Sequence, residues 1–177
     1  MALKDDIVTL LRQDPVVSMI NFQFKANPIR GSMFRAIGDR IASGKIRILK
    51  RYMDEEGEYD DRKNTMTFNP GFTLLNKLGN KATVIHECVH AIFDFQGLGR
   101  HDFAANEASA YIAESVFLMY HNSFAGTNFP TQNKIAARIA IDGDYYINDS
   151  DAVDLMKEIR MNASYIGREK YGSNDNW

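Results

Sequence analysis

The sequence predicts an α+β fold: mostly helical, a single domain over residues 1–177, with a small antiparallel sheet ahead of its most apolar helix. Three observations carry this. Apolar residues recur at helical spacing through most of the chain. Two short strand-like runs, 46–53 and 64–69, flank a turn-like segment. No linker, repeat or low-complexity stretch divides the 177 residues.

The elements follow in order. "DDIVTLLRQ" reads as an amphipathic helix stopped before Pro15, and "VVSMINFQF" after it has no clear period. "NPIRGSMFRAIGDRIASG" carries Ile29, Met33, Phe34, Ile37 and Ile41 at helical spacing, with Gly44 as a stop. "IRILKRYM" reads as a strand, "DEEGEYDDRKN" as a turn region and "NTMTFN" as a second strand closed by Pro70-Gly71. "TLLNKL" begins a helical stretch that Gly79 interrupts, before a long helix over about 81–96. A further helix covers "FAANEASAYIAESVFLMYHN", whose alanines suit close packing against a neighbour. Pro130 fits the first turn of a helix through "TQNKIAARIAI". Asp149 or Ser150 caps a last helix, and the tail "GSNDNW" is loose unless Trp177 docks.

Composition narrows the function. A net charge of −2 gives no basic footprint for nucleic acid. The cluster Lys45, Arg47, Lys50 and Arg51 is followed at once by Asp54, Glu55, Glu56 and Glu58, which suits a solvated strand and turn. Cys88 is the single cysteine, so no intramolecular disulfide can form. No apolar stretch reaches the roughly 18 residues of a membrane span. Acids occupy the N-terminal segment where a signal peptide is apolar, so a cytoplasmic protein without membrane or nucleic-acid partners is expected.

The chemistry concentrates in "KATVIHECVHAIFDFQG", an apolar run with His86, Glu87 and His90 set into it. On a helical wheel with His86 at zero, His90 falls at about 40°, Thr83 at about 60°, Asp94 at about 80° and Glu87 at about 100°. Cys88, at about −160°, points away as a small core residue. Two histidines at i and i+4 can reach one metal ion, and the acid after the first lies beside it, free to act as a general base on water. This is the His-Glu-x-x-His pattern, "HECVH". The alternative is a polar seam in which the histidines hydrogen-bond to Asp94 and Thr83.

A catalytic zinc takes a third protein ligand. Candidates are His101, Asp102, Glu107, Glu114 and His121; the two histidines lie on segments that read as solvated. An extended motif with glycine at 93 and histidine at 96 is excluded by Phe93 and Gln96. Glu107 lies 17 residues beyond His90, on the next helix, and Glu114 shares its face. An oxyanion donor is also needed. Tyr111, His101, Tyr145 and Tyr146 are available and the sequence singles out none of them; Tyr111 stands as the catalytic candidate.

"VIHECVHAIFD" and "NEASA", within residues 84–110, resemble the glutamate-zincins, the thermolysin-like class of zinc metallopeptidases. The resemblance implies a zincin-like fold, a Zn2+ cofactor and peptide or protein substrates. It implies His86, His90 and Glu107 as ligands, Glu87 as the base, and Asn106 as a residue that orients a ligand histidine. Removal of Glu114 should then leave metal affinity nearly unchanged. Where that class has an aspartate four residues after the glutamate, this chain has Tyr111, so the support of the histidines must differ. The class also suggests that "NTMTFN" edges the cleft and pairs with an extended peptide, although an ordinary hairpin strand fits it equally well. The competing expectation is a scaffold or binding protein of the same shape, and the intact Glu87 argues against it.

Overall fold

The computed structural model describes residues 2–98, 102–123, 129–143 and 145–162. His101 and the tail with Trp177 lie outside the described residues. The architecture is α+β, helices outweighing two small sheets, and no helix among the described residues is long and apolar enough to cross a membrane.

Helix α1 (Leu3–Gln13) buries Ile7, Leu10 and Leu11. It ends where Asp14 turns extended; the Asp14 carboxylate then accepts the Val16 N–H at 2.9 Å and caps α2 (Pro15–Met19), with Pro15 in its first turn. The segment without clear periodicity is thus a short helix followed by strand β1 (Asn21–Phe24), paired antiparallel with β2 (Asn27–Arg30). Asn27 to Arg30, expected as the start of a helix, are therefore strand, and α3 (Gly31–Ala42) begins after them. Phe34, Ile37 and Ile41 of α3 are buried, and the helix packs on α1.

The second sheet corrects the expected topology. It holds β3 (Arg47–Lys50), β4 (Gly57–Asp60) and β5 (Thr65–Phe68) in the order β3-β5-β4. Strands β3 and β5 run parallel while β4 and β5 run antiparallel, so the sheet is mixed. Strand β4 lies inside the stretch expected to be only a turn. Three of its four residues, Gly57, Glu58 and Asp60, have weak strand propensity, and what holds them extended is pairing with β5 and a Tyr59 hydroxyl that donates to Asp94 at 2.9 Å. Strand β5 is central and buried throughout, so "NTMTFN" is not the edge of any cleft; β4 is an outer strand. The basic residues of β3 are exposed, as expected.

Helix α4 (Leu78–Phe95) starts three residues earlier than expected, and Gly79 sits in its first turn without interrupting it. The preceding residues 72–77 are loop with a turn at 75–76, not helix; the Asn80 side chain donates to Thr73 O at 2.7 Å and ties them down. The helix closes at Gly97, whose φ of 71° lets Leu98 N–H reach back to Phe93 O at 2.8 Å. Helix α5 (Phe103–Tyr120) is capped by Asp102, which accepts the Ala105 N–H at 3.2 Å. Its buried alanines 104, 105, 108, 110 and 113 bring it against α4, the most extensive helix pairing among the described residues.

Helix α6 (Pro130–Ala137) runs on into a π-helical turn, Arg138–Asp142. Its buried Gln132 donates to Tyr111 O at 2.7 Å and to Ser115 Oγ at 2.6 Å, which fastens α6 to the middle of α5. Helix α7 (Asp149–Met161) is capped by Asn148, one residue before Asp149 and two before Ser150, the expected caps. Asp151 is buried in its first turn, 2.8 Å from Lys134 Nζ and 2.6 Å from Arg138 Nη1.

Candidate metal centre

Helices α4 and α5 build the site together. The apolar positions of α4, among them Val84, Ile85, Cys88, Val89 and Ile92, are buried, which leaves His86, Glu87 and His90 on the side toward α5 and β4. Cys88 is fully buried, and burial pushes its thiol pKa well up, so it is a core residue as expected.

Glu107 comes from the first turns of α5. One carboxylate oxygen lies 3.6 Å from His86 Nε2 and the other 3.6 Å from His90 Nε2. That separation is too long for a hydrogen bond. It is close to the edge of a tetrahedron around zinc, about 3.3–3.6 Å for bonds of about 2.0–2.2 Å. The ligand atoms of the three residues all lie within 4.8 Å of one another, and no other such cluster occurs among the described residues.

The Nδ1 atoms face away from this point and are engaged. His90 Nδ1 is 3.0 Å from Asn106 Oδ1, and His86 Nδ1 is 3.3 Å from Glu114 Oε2. If each Nδ1 carries the proton, it donates to α5 and leaves the Nε2 lone pair free for an ion. The donor set therefore fits a metal: two imidazole nitrogens and a carboxylate, each imidazole oriented from behind. Burial opposes a charged His86, but the carboxylates of Glu107 and Glu114 outweigh it and raise the imidazole pKa well above its ordinary value.

Glu87 is buried and lines the cleft beside the two histidines. Burial raises its carboxyl pKa; the neighbouring His90 and His86 and the Tyr59 N–H of β4 pull the other way. Gly57 makes room for it, because a Cβ there would lie 3.0 Å from Phe68 Cε1 and Thr83 Cγ2 and 3.2 Å from Glu87 Cγ. The cleft measures about 480 Å³ and runs between β4 and the two helices.

The remaining candidates separate clearly. Asp102 is the α5 cap and pairs with Arg160 at 3.4 Å and Lys25 at 3.6 Å, away from the histidines. Glu114, the reserve candidate for the third ligand, does not join the ligand cluster; its carboxylate lies 3.3 Å from His86 Nδ1, where it orients the ring. Tyr111 lines the cleft with its ring edge-on to His86, centroids 4.7 Å apart. Tyr145 and Tyr146 lie in another groove, beside β1, and are no part of this site. His121 is not solvated as expected: it packs on Phe117 at the end of α5, with Nε2 buried. Nor do the histidines form a seam with Asp94 and Thr83, since Asp94 accepts from Tyr59 and Thr83 donates to Gly79 O.

No family model, curated protein or solved structure matches the chain.

Proposed function

We propose that this protein is a zinc-dependent metallopeptidase with the ligand arrangement of the glutamate-zincins. The observation that carries the reading is the convergence of His86 Nε2, His90 Nε2 and the Glu107 carboxylate, with a buried Glu87 beside them that is not one of the cluster. A purely structural zinc site is closed by a fourth protein ligand and has no use for a neighbouring base.

Zinc held by His86, His90 and Glu107 would polarise water and the scissile carbonyl. Glu87 would accept the water proton and later deliver it to the leaving amine, and burial, which raises its carboxyl pKa, favours the proton-carrying form that the second task needs. Tyr111, beside His86 on the cleft wall, is the donor assigned to the developing oxyanion. The outer strand β4, not β5, is the one to receive an extended peptide by main-chain hydrogen bonding.

The test is Glu87→Gln in protein carrying about one zinc per chain, as a three-ligand site implies. The variant should keep fold and zinc and lose hydrolysis of a peptide library by more than the ~10²–10⁴ of acid–base assistance alone. Activity equal to wild type would overturn the mechanism. Zinc content unchanged in a His86→Ala, His90→Ala double variant would overturn the site. A zinc-loaded wild type that cleaves nothing would favour a binding protein of the same shape.

A further inference from the structure

The cleft wall is acidic far beyond what the chemistry uses. Eight of its sixteen lining residues are carboxylates, and no lysine or arginine lines it among the described residues. Glu87 and Glu107 belong to the metal chemistry, Glu114 holds His86, and Asp94 holds Tyr59. Four more, Glu55, Glu56, Glu58 and Asp61, come from β4 and its two flanks, with Glu56 and Glu58 exposed.

A bound dication does not neutralise this wall. Its two charges are matched by Glu87 and Glu107 alone, and the exposed Glu56 and Glu58 add further negative charge along the strand that borders the cavity. A cleft lined by one sign of charge concentrates ligands of the opposite sign and repels its own. The rim is local, because the whole chain carries only −2.

We propose that the cleft selects cationic peptides, with lysine or arginine side chains flanking the bond to be cut, and that the β4 rim is the selecting element. This deepens the peptidase reading and rests on it for the cleavage step. A basic side chain on either side of the scissile bond meets Glu56 and Glu58 while the backbone lies along β4. Acidic peptides meet the same rim with like charge. Exposed ion pairs each contribute about a two- to fivefold preference, so Glu56 and Glu58 together give about 4- to 25-fold over a neutral peptide, and repulsion of an acidic peptide widens the gap.

The experiment compares three fluorogenic peptides with one common core, flanked by lysine, glutamine or glutamate. The zinc-loaded protein should cleave them in that order, with kcat/KM for the lysine peptide about 10–100 times that for the glutamate peptide at low salt, a ratio that narrows as salt is added. The Glu56→Lys, Glu58→Lys double variant should lower that ratio at least about tenfold, the product of two such pairs and their reversal. Should that variant misfold by circular dichroism, Glu56→Gln, Glu58→Gln takes its place, with a smaller fall in the ratio.

Binding of the same labelled peptides to zinc-loaded Glu87→Gln, read by fluorescence anisotropy, separates the two readings. Cleavage or binding without charge preference, or a preference unmoved by the rim variants, overturns charge selection and leaves the peptidase reading standing. Preferential binding of the lysine peptide, lost in the rim variants but with no cleavage by wild type, supports charge selection and overturns the peptidase.

Discussion

Replacing Glu114 with alanine removes the acceptor 3.3 Å from His86 Nδ1 and none of the three proposed ligands. The imidazole keeps Nε2 but loses what fixes its ring rotation and tautomer. Losses of this kind cost about 10–100-fold in metal affinity, which is about 1.4–2.8 kcal/mol. With free zinc in fixed excess, the stabilisation that zinc confers shrinks by the same amount. At about 2–4 °C per kcal/mol for a domain of this size, the zinc-induced rise in Tm should be smaller by about 3–11 °C. Glu107→Ala, which removes an anionic ligand, should lose more. Glu114→Gln, which keeps an acceptor without the charge, should fall between Glu114→Ala and wild type. Titration against a competing chelator gives the affinities, and thermal scans with and without zinc give the shifts. If Glu114→Ala matches wild type in both, His86 is not oriented by Glu114. If Glu114→Ala loses the metal and Glu107→Ala keeps it, the ligand is Glu114 and the reading of α5 is wrong by two turns.

Two further outcomes follow from packing and charge. Gly57→Ala forces a methyl group against Phe68, Thr83 and Glu87, and should cost about 1–3 kcal/mol by denaturant midpoint while also lowering turnover. The Lys134 ammonium, then the Arg138 guanidinium and Asn148, hold the buried Asp151 carboxyl below its ordinary pKa. A depressed acid stabilises the fold above its unfolded pKa, and that contribution is lost as pH falls through the folded one. Asp151→Asn should therefore destabilise by about 1–3 kcal/mol at neutral pH, and the gap to wild type should close only below the ordinary carboxylate range. A gap that widens in acid would reverse the sign and refute the argument.

The part of the site that was legible is the part written along one helix. His86 and His90 share a face because four residues make about one turn, and Glu87 follows from its adjacency. Glu107 was reachable because alanines announced a close neighbour for α4, and Asn106 came with the resemblance to the glutamate-zincins. Glu114 was not. Its partner depends on how two helices stagger and on rotamers seven residues apart, and neither leaves a trace in spacing. Strand β4 was hidden for a related reason: "GEYD" has turn composition, and its extended form comes from pairing with β5 across the sheet. The parallel pairing of β3 with β5 was equally invisible, since local alternation records which face is buried but not strand direction.

The pairing of α4 with α5 has a consequence for how the protein comes apart. His90 meets Asn106 while His86, one turn earlier, meets Glu114, so the two helices run in opposite directions and touch at both ends of the site. A slip of α5 by one residue moves each side chain about 1.5 Å along the axis and swings it by about 100°. Glu107, Asn106 and Glu114 would leave their partners together, with no intermediate register that keeps any of them. Retention of a bound ion would thus work as a vernier on the seating of two helices, and its escape on heating would report the loss of their register.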